Sequence, residues 1–222
     1  MRDKLKDKKY WLDYISFYKE NIPKFVKKLE DETLENKRKE QLHYAIITRQ
    51  VRLVYAQYSL GVNEDVLSEE LEQLIKMLEK YSLVSEEPIF DLDTKDGIWY
   101  YTSLLALVFL LGMLKDTHNK LAKLMKVEIS NFNLLLIKED SKYLYEYFNE
   151  VGSEFYLNDD ESSLVKFCMN RLEIYKNTFF YNYHLEEEDL YFGYWAFEVA
   201  AIVKVLSLDE DLFSNLPHYP KF

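Results

Sequence analysis

Residues that break or cross-link a chain are scarce in this sequence. Its 222 residues include one cysteine, four prolines and five glycines. A single cysteine, Cys168, excludes an internal disulfide framework and indicates a reducing, cytoplasmic environment. Few helix breakers, together with many Leu, Lys and Glu residues, favour long helices over a sheet with tight turns. The sequence therefore predicts an all-α fold, a compact multi-helix bundle in two contiguous helical subdomains.

The common signatures of catalysis and metal binding are also missing. The chain has no GxSxG, P-loop, GxGxxG or HExxH motif, and its four histidines are scattered. Cys168 lies on the apolar stripe of a predicted helix, with no base or orienting group visible beside it, which is typical of a packed thiol. We expect no catalytic residue, no metal and no cofactor. The alternative is a helical enzyme in which Glu198, His184 and clustered acids hold a metal.

Long apolar runs are few. Residues 1–15 contain no apolar segment that would serve as a secretory signal. The longest uncharged run, 97–114, is at the short end of what spans a bilayer, and it contains tyrosines and hydroxyl residues at 100–103. This pattern favours a buried core helix capped by Asp96. We expect no membrane association, with a membrane helix as the alternative.

Charge is unevenly distributed along the chain, whose formal net charge is −11. Residues 1–58 hold 14 Lys or Arg and 9 Asp or Glu, whereas residues 59–222 hold 14 and 30. A surface this acidic repels nucleic acid phosphates, attracts a basic protein and accelerates that encounter. We expect a protein partner and no nucleic acid, although solubility alone explains many acidic surfaces.

Helical periodicity divides the chain into two regions. A helix over 35–60 is apolar on two faces, so we expect it to be packed on both sides, with Gly61 ending it and Asn63 or Asp65 capping the next helix. The segment 82–96 has a proline, five acids and no helical period. It predicts a connector between an N-terminal domain, 1–85, and a C-terminal domain, 97–222.

The run 191–208 is apolar almost all the way round a helix, which predicts a helix at the centre of the fold. Glu198 is one of only two charged residues in it. Its helical neighbours, Tyr194 and Trp195 among them, carry no positive charge. A buried carboxylate needs a partner, so we expect an ion pair with Arg49 or Arg171 that fixes helix packing.

An aromatic run over 179–184 is followed by an acidic run over 186–189. Aromatic rings supply contact area and acids supply electrostatic steering, so one interpretation is a recognition surface. The other is an inter-helix loop whose rings pack into the core. The candidate partner-binding residues, together with a second acidic turn, are Tyr183, His184, Glu186, Glu187, Glu188, Asp189, Asp209, Glu210 and Asp211.

Two short motifs resemble those of a known family. The run Gly193-Tyr194-Trp195-Ala196-Phe197-Glu198 resembles the "GYWsfE" signature of the PoNi family, the immunity proteins of PoNe-type polymorphic nuclease toxins. The run Tyr58-Ser59-Leu60-Gly61 is similar to the family's "YSrG" ending. The chain departs from the family pattern at Asp209-Glu210-Asp211, where the family often has Asp-Asp-Ser, and at its Tyr219-Pro220-Lys221-Phe222 end.

The resemblance implies an all-helical, two-part protein of the producing bacterium. Such a protein binds and neutralises a cognate DNase toxin of the PD-(D/E)xK type and has no catalysis of its own. The implied partner is a basic, DNA-binding protein. The alternative that the sequence leaves open is a helical adaptor that scaffolds a different partner.

Overall fold

A computed structural model describes most of the chain: residues 1–91, 94–113, 115–125, 161–174, 176, 178–186, 188–205 and 207–222. Within these ranges the regular structure is entirely helical, which confirms the predicted all-α class. None of the helices in these ranges combines the length and apolarity needed to cross a lipid bilayer.

The chain forms two compact units. Unit 1 contains Met1–Ile89 and Asn182–Gly193, and unit 2 contains Phe90–Tyr181 and Tyr194–Phe222. The helices of unit 1 are α1 (Lys8–Lys28), α2 (Asn36–Leu60), α3 (Glu64–Ser82) and a 3-10 turn at Tyr183–Leu185. Those of unit 2 are α4 (Lys95–Leu110), α5 (Lys115–Leu124), α6 (Glu161–Met169), α7 (Arg171–Ile174), α8 (Phe197–Val205) and a 3-10 turn at Glu210–Leu212. The domain bounds 1–85 and 97–222 stay a prediction.

Helix α2 is the centre of unit 1. It packs against both α1 and α3, as its two apolar faces predict, and Ile47, Val51 and Tyr55 are fully buried on it. It ends at Gly61, whose φ of +93° is a left-handed conformation that glycine adopts without strain. The side chain of Asn63 then accepts a hydrogen bond from the backbone of α3, so both predicted boundary residues are confirmed.

Helix α4 of unit 2 begins slightly earlier than expected. The N-cap is Thr94, whose hydroxyl accepts a hydrogen bond from the Gly97 amide at 3.1 Å, so the prediction that Asp96 caps this helix is wrong. The Asp96 carboxylate instead accepts a hydrogen bond of 3.1 Å from the Phe179 amide. The N-cap residue of a helix has extended backbone, and here that residue is Thr94, two positions before Asp96.

The predicted helix over 191–208 is only half correct. Residues 191–196 form no regular secondary structure although every one of them is buried, and the helix spans Phe197–Val205. Gly193 has a φ of +112°, which no α-helix accommodates, and the Ala196 amide donates to the His218 carbonyl at 2.8 Å. A buried segment without regular structure is as apolar as a buried helix, so hydrophobicity alone does not separate them.

Candidate interaction surface

The acidic candidates form two exposed segments in different units. In unit 1, the 183–189 segment starts at Asn182, whose φ is +62°, and turns through the 3-10 helix. The Leu185 amide donates to the Asn182 carbonyl at 2.8 Å, which closes the turn. Glu186, Glu188 and Asp189 are exposed, whereas Glu187 lies outside the described residues. This part of the chain therefore presents carboxylates to solvent.

Two buried rings directly after this segment anchor it in unit 1. The Tyr191 hydroxyl donates a hydrogen bond of 2.6 Å to the Asp3 carboxylate, and the Tyr191 carbonyl accepts one of 2.7 Å from Tyr10. The ring of Phe192 lies 5.6 Å below the guanidinium of Arg52. The acids are thus exposed on a support that is fixed to α1 and α2, which lowers the entropy lost when a partner binds.

The electrostatics of this support follow from burial. Desolvation raises the pKa of the Asp3 carboxyl, although hydrogen bonds from Tyr191 and the Leu5 amide act in the opposite direction. Burial, and secondarily the positive charge of Lys6, lower the pKa of His184. His184 therefore lies beside the acids as a neutral ring near neutral pH, 6.1 Å from the Tyr191 ring, and adds no positive charge.

In unit 2, the 209–211 turn has a similar design. Asp209 caps a 3-10 turn, and its carboxylate accepts a hydrogen bond of 3.1 Å from the Asp211 amide. All three acids of the turn are exposed. Phe213, fully buried and 5.7 Å from the Tyr219 ring, anchors the turn to its unit.

Each acidic segment also exposes one leucine. Leu185 is 68% exposed and precedes the acids of the 183–189 segment, while Leu212 is 49% exposed and follows the 209–211 turn. Within the described part of the chain, no lysine, arginine or histidine forms an ion pair with the following acids: Glu186, Glu188, Asp209, Glu210 and Asp211. An apolar side chain beside carboxylates without internal counter-ions is a suitable contact for a basic protein.

The aromatic run over 179–184 is divided between buried and partly exposed rings. Phe180 is buried in unit 2, 4.7 Å from the Trp99 ring, and Phe179 stacks on Tyr100 at 5.5 Å. By contrast, Tyr183 and His184 are half-buried in unit 1. The interpretation as core therefore applies to the two phenylalanines, and Tyr183 and His184 stay candidates for contact.

The signature residues Tyr194, Trp195 and Glu198 are all buried. Tyr194 is buried, donates a hydrogen bond of 3.3 Å to the Phe180 carbonyl and contacts the His218 ring at 5.6 Å. Trp195 is also buried, and Glu198 is only 2% exposed on α8. The expected burial of Glu198 is thus found.

The ion pair predicted for Glu198 stays a prediction. Arg49 belongs to unit 1, where its guanidinium lies 4.4 Å over the Phe25 ring and donates to the Ala45 carbonyl at 2.8 Å. The side chain of Arg171 lies outside the described residues.

The buried carboxylate network that the sequence did not reveal is at Glu70 of α3. Its two oxygens accept hydrogen bonds from the side-chain amides of Gln50 at 2.7 Å and Gln57 at 2.9 Å, both on α2. Lys19 of α1 adds an ion pair at 3.2 Å. One acid therefore joins all three helices of unit 1. The glutamines among the apolar positions of α2 were the signal that something buried needed donors.

No group of three histidine, cysteine, aspartate or glutamate side chains suited to a metal occurs among the described residues. Cys168 is fully buried on α6. The partner-binding role of the two exposed acidic segments stays a prediction.

Two family models match this chain and together take in most of its length. No curated protein and no solved structure matches it. The model described as PoNe immunity protein (PoNi), N-terminal, matches residues 2–123. The model described as PoNe immunity proteins (PoNi), C-terminal, matches residues 136–222. With more than half of its residues matched by the first model alone, the chain belongs to the PoNe immunity protein family.

Proposed function

We propose that this immunity protein binds and neutralises a cognate nuclease toxin of the PD-(D/E)xK type in the cytoplasm of the producing bacterium, without catalysis of its own. The observation that carries the proposal is the exposure of two acidic segments, each on a buried aromatic support, in a member of a toxin-immunity family. An enzyme that binds DNA needs a positively charged surface for the phosphates. Exposed carboxylates compete for that surface.

In this proposal the contact residues are those of the 183–189 segment and the 209–211 turn. The carboxylates steer the encounter and oppose the toxin's basic groups, while Leu185 and Leu212 supply apolar contact that persists at high salt. Tyr183 and His184 extend the first surface with partly exposed rings. The proposal assigns specificity to both segments because immunity proteins must distinguish one toxin from its relatives.

The test is co-expression with the cognate nuclease toxin of the producing bacterium, followed by co-purification. We expect protected cells and a stable complex. Persistent killing together with no recoverable complex would reject the proposal. Metal analysis of protein purified without chelator addresses the alternative, since a stoichiometric metal ion would favour a metal-dependent enzyme.

Charge variants test the contact surface. Glu186→Gln/Glu188→Gln and Glu210→Gln/Asp211→Asn remove carboxylates from the two segments. Glu32→Gln/Glu72→Gln is the matched control, because both acids are exposed in unit 1 outside the segments. We expect the segment variants to slow association about tenfold at low salt, an effect typical of rim charges, and the control to leave it unchanged. Equal effects from all three pairs would mean that overall charge, and not these segments, governs the encounter.

A further inference from the structure

A groove in unit 1 is separate from the acidic segments. It has a volume of about 510 Å³ and is lined by the C-terminal halves of α1 and α3 and the N-terminal half of α2. Its apolar lining includes Val26 from α1, Leu29 directly after α1, the buried Ile46 from α2 and Met77 from α3. The volume lies within the range of roughly 300–1,000 Å³ that small-molecule sites occupy. The groove is therefore large enough for a compact apolar ligand.

The charged side chains of this groove are mainly positive. Lys76 and Lys80, one turn apart on α3, line it and are exposed, with Glu30 as the one carboxylate among the lining residues. Neither lysine forms an ion pair with an acid inside the described ranges. Burial and the nearby Lys80 lower the pKa of His43, which also lines the groove and is therefore neutral near neutral pH.

The net positive charge of this apolar groove contrasts with the net charge of −11 of the whole chain. The same lysines would repel the basic toxin that the acidic segments attract, so this groove needs a different occupant. Two adjacent ammonium groups beside an apolar channel match a ligand that carries its negative charge at one end and a hydrocarbon tail at the other.

We propose that this groove binds a single-chain amphiphile with an anionic head group, of which a medium-chain fatty acid is the simplest example. The tail replaces water along Val26, Leu29 and Met77, which contributes through the hydrophobic effect. The head group lies beside Lys76 and Lys80, where charge-assisted hydrogen bonds hold it.

Isothermal titration calorimetry of the full chain with dodecanoate tests this assignment, with dodecyltrimethylammonium as the probe of reversed head-group charge. We expect saturable binding of one dodecanoate per chain and at least tenfold weaker binding of the cationic amphiphile. Lys76→Gln/Lys80→Gln should weaken dodecanoate binding by at least about tenfold, the loss expected for one charge-assisted contact. The matched control, Lys4→Gln/Lys8→Gln, makes the same charge change at exposed positions outside the groove lining and should bind as the parent does.

A second variant tests the apolar channel. Val84→Trp places a large ring at a half-exposed lining position, and it should abolish dodecanoate binding while circular dichroism and melting stay unchanged. The assignment is overturned by absence of saturable dodecanoate binding, by equal affinity for both amphiphiles, or by unaltered binding in the double lysine variant. Sedimentation that shows a dimer abolished by Val84→Trp would assign the groove to a second copy of the chain and also overturn it.

Discussion

The Tyr191 hydroxyl donates a hydrogen bond of 2.6 Å to the Asp3 carboxylate, across 188 residues of sequence. Both side chains are buried in unit 1. This contact joins the start of the chain to the segment that carries the first acidic surface. It makes the position of Glu186 and Glu188 depend on residues that lie far away in sequence and close in space.

Tyr191→Phe tests that contact. The substitution retains the ring and deletes the hydroxyl, so the buried Asp3 carboxylate loses a donor. We expect the free energy of unfolding to fall by about 1–3 kcal/mol, the usual result of leaving a buried polar group unsatisfied. Urea denaturation followed by circular dichroism measures it. A change within error would indicate that water replaces the hydroxyl.

Asp3 also makes stability depend on pH. Burial raises the pKa of this carboxyl above its ordinary value of 3.8 in the folded protein. The folded state therefore binds the proton more tightly, and this contribution to stability is fully present below pH 3.8 and lost as pH rises through the raised pKa. Urea unfolding at several pH values from 4 to 7 should show wild type losing stability relative to Asp3→Asn as pH increases. A constant difference between the two proteins would contradict the raised pKa.

Glu70 and Lys19 separate a buried interaction from an exposed one. Glu70→Ala removes the acceptor of two buried glutamine amides, and we expect a loss of about 3 kcal/mol in the free energy of unfolding. Lys19→Ala removes only the ion pair, and because Lys19 is 51% exposed we expect a loss below about 1 kcal/mol. Thermal and urea melts of both variants compare the two directly. Similar losses would mean that the ion pair, and not the glutamines, dominates the network.

Gly193 lies inside the signature of the family at a φ of +112°. An alanine there is strained, and we expect Gly193→Ala to destabilise the fold by about 1–3 kcal/mol. Gly112→Ala is the control, since Gly112 has a φ of +63° with no atom within 4 Å of an added Cβ, and left-handed α backbone costs a non-glycine residue about 1–2 kcal/mol. Calorimetric melting temperatures should therefore fall further for Gly193→Ala. A larger fall in melting temperature for Gly112→Ala would mean that position 193 does not require glycine more than position 112 does.

The two exposed leucines provide a test of the proposed toxin contact. Leu185→Ala and Leu212→Ala each remove apolar contact area, and we expect each to weaken toxin binding about tenfold, or about 1.4 kcal/mol, with little loss of stability. Met169→Ala serves as the control, because Met169 is 58% exposed on α6 outside both segments. Surface plasmon resonance at high salt isolates this apolar part. If only Met169→Ala lowered the affinity, the toxin contact would lie on another face of the protein and not at the two leucines.

Local sequence predicted those features that depend on neighbours along the chain. The end of α2 at Gly61 and the cap of α3 at Asn63 were predictable because a left-handed residue and a short polar acceptor are each required within one turn. The same reasoning failed at Asp96, where the cap falls two residues earlier, at Thr94. Periodicity also failed over 191–196, because a buried segment without regular structure and a buried helix have the same apolar composition.

The sequence predicted which acidic residues form the candidate site, but it did not predict which buried residues hold them in place. Acidic residues in a short run are visible in any sequence, and their exposure follows from the cost of burying charge. Tyr191 and Phe192 hold the first segment on unit 1, and Phe213 holds the second segment on unit 2. These anchors depend on contacts between distant residues.

The amino-acid sequence by itself determined the helical class, the end of α2 and the start of α3, the acidic character and, through the Gly193–Glu198 signature, the family. These properties depend on composition and on interactions within a few residues. Only the tertiary structure decided that the signature begins outside a helix, that Glu70 joins three helices, and that the two acidic segments belong to different units. Those features arise from burial and hydrogen bonding between residues far apart in the chain, and a local sequence pattern does not indicate which distant residue is the partner.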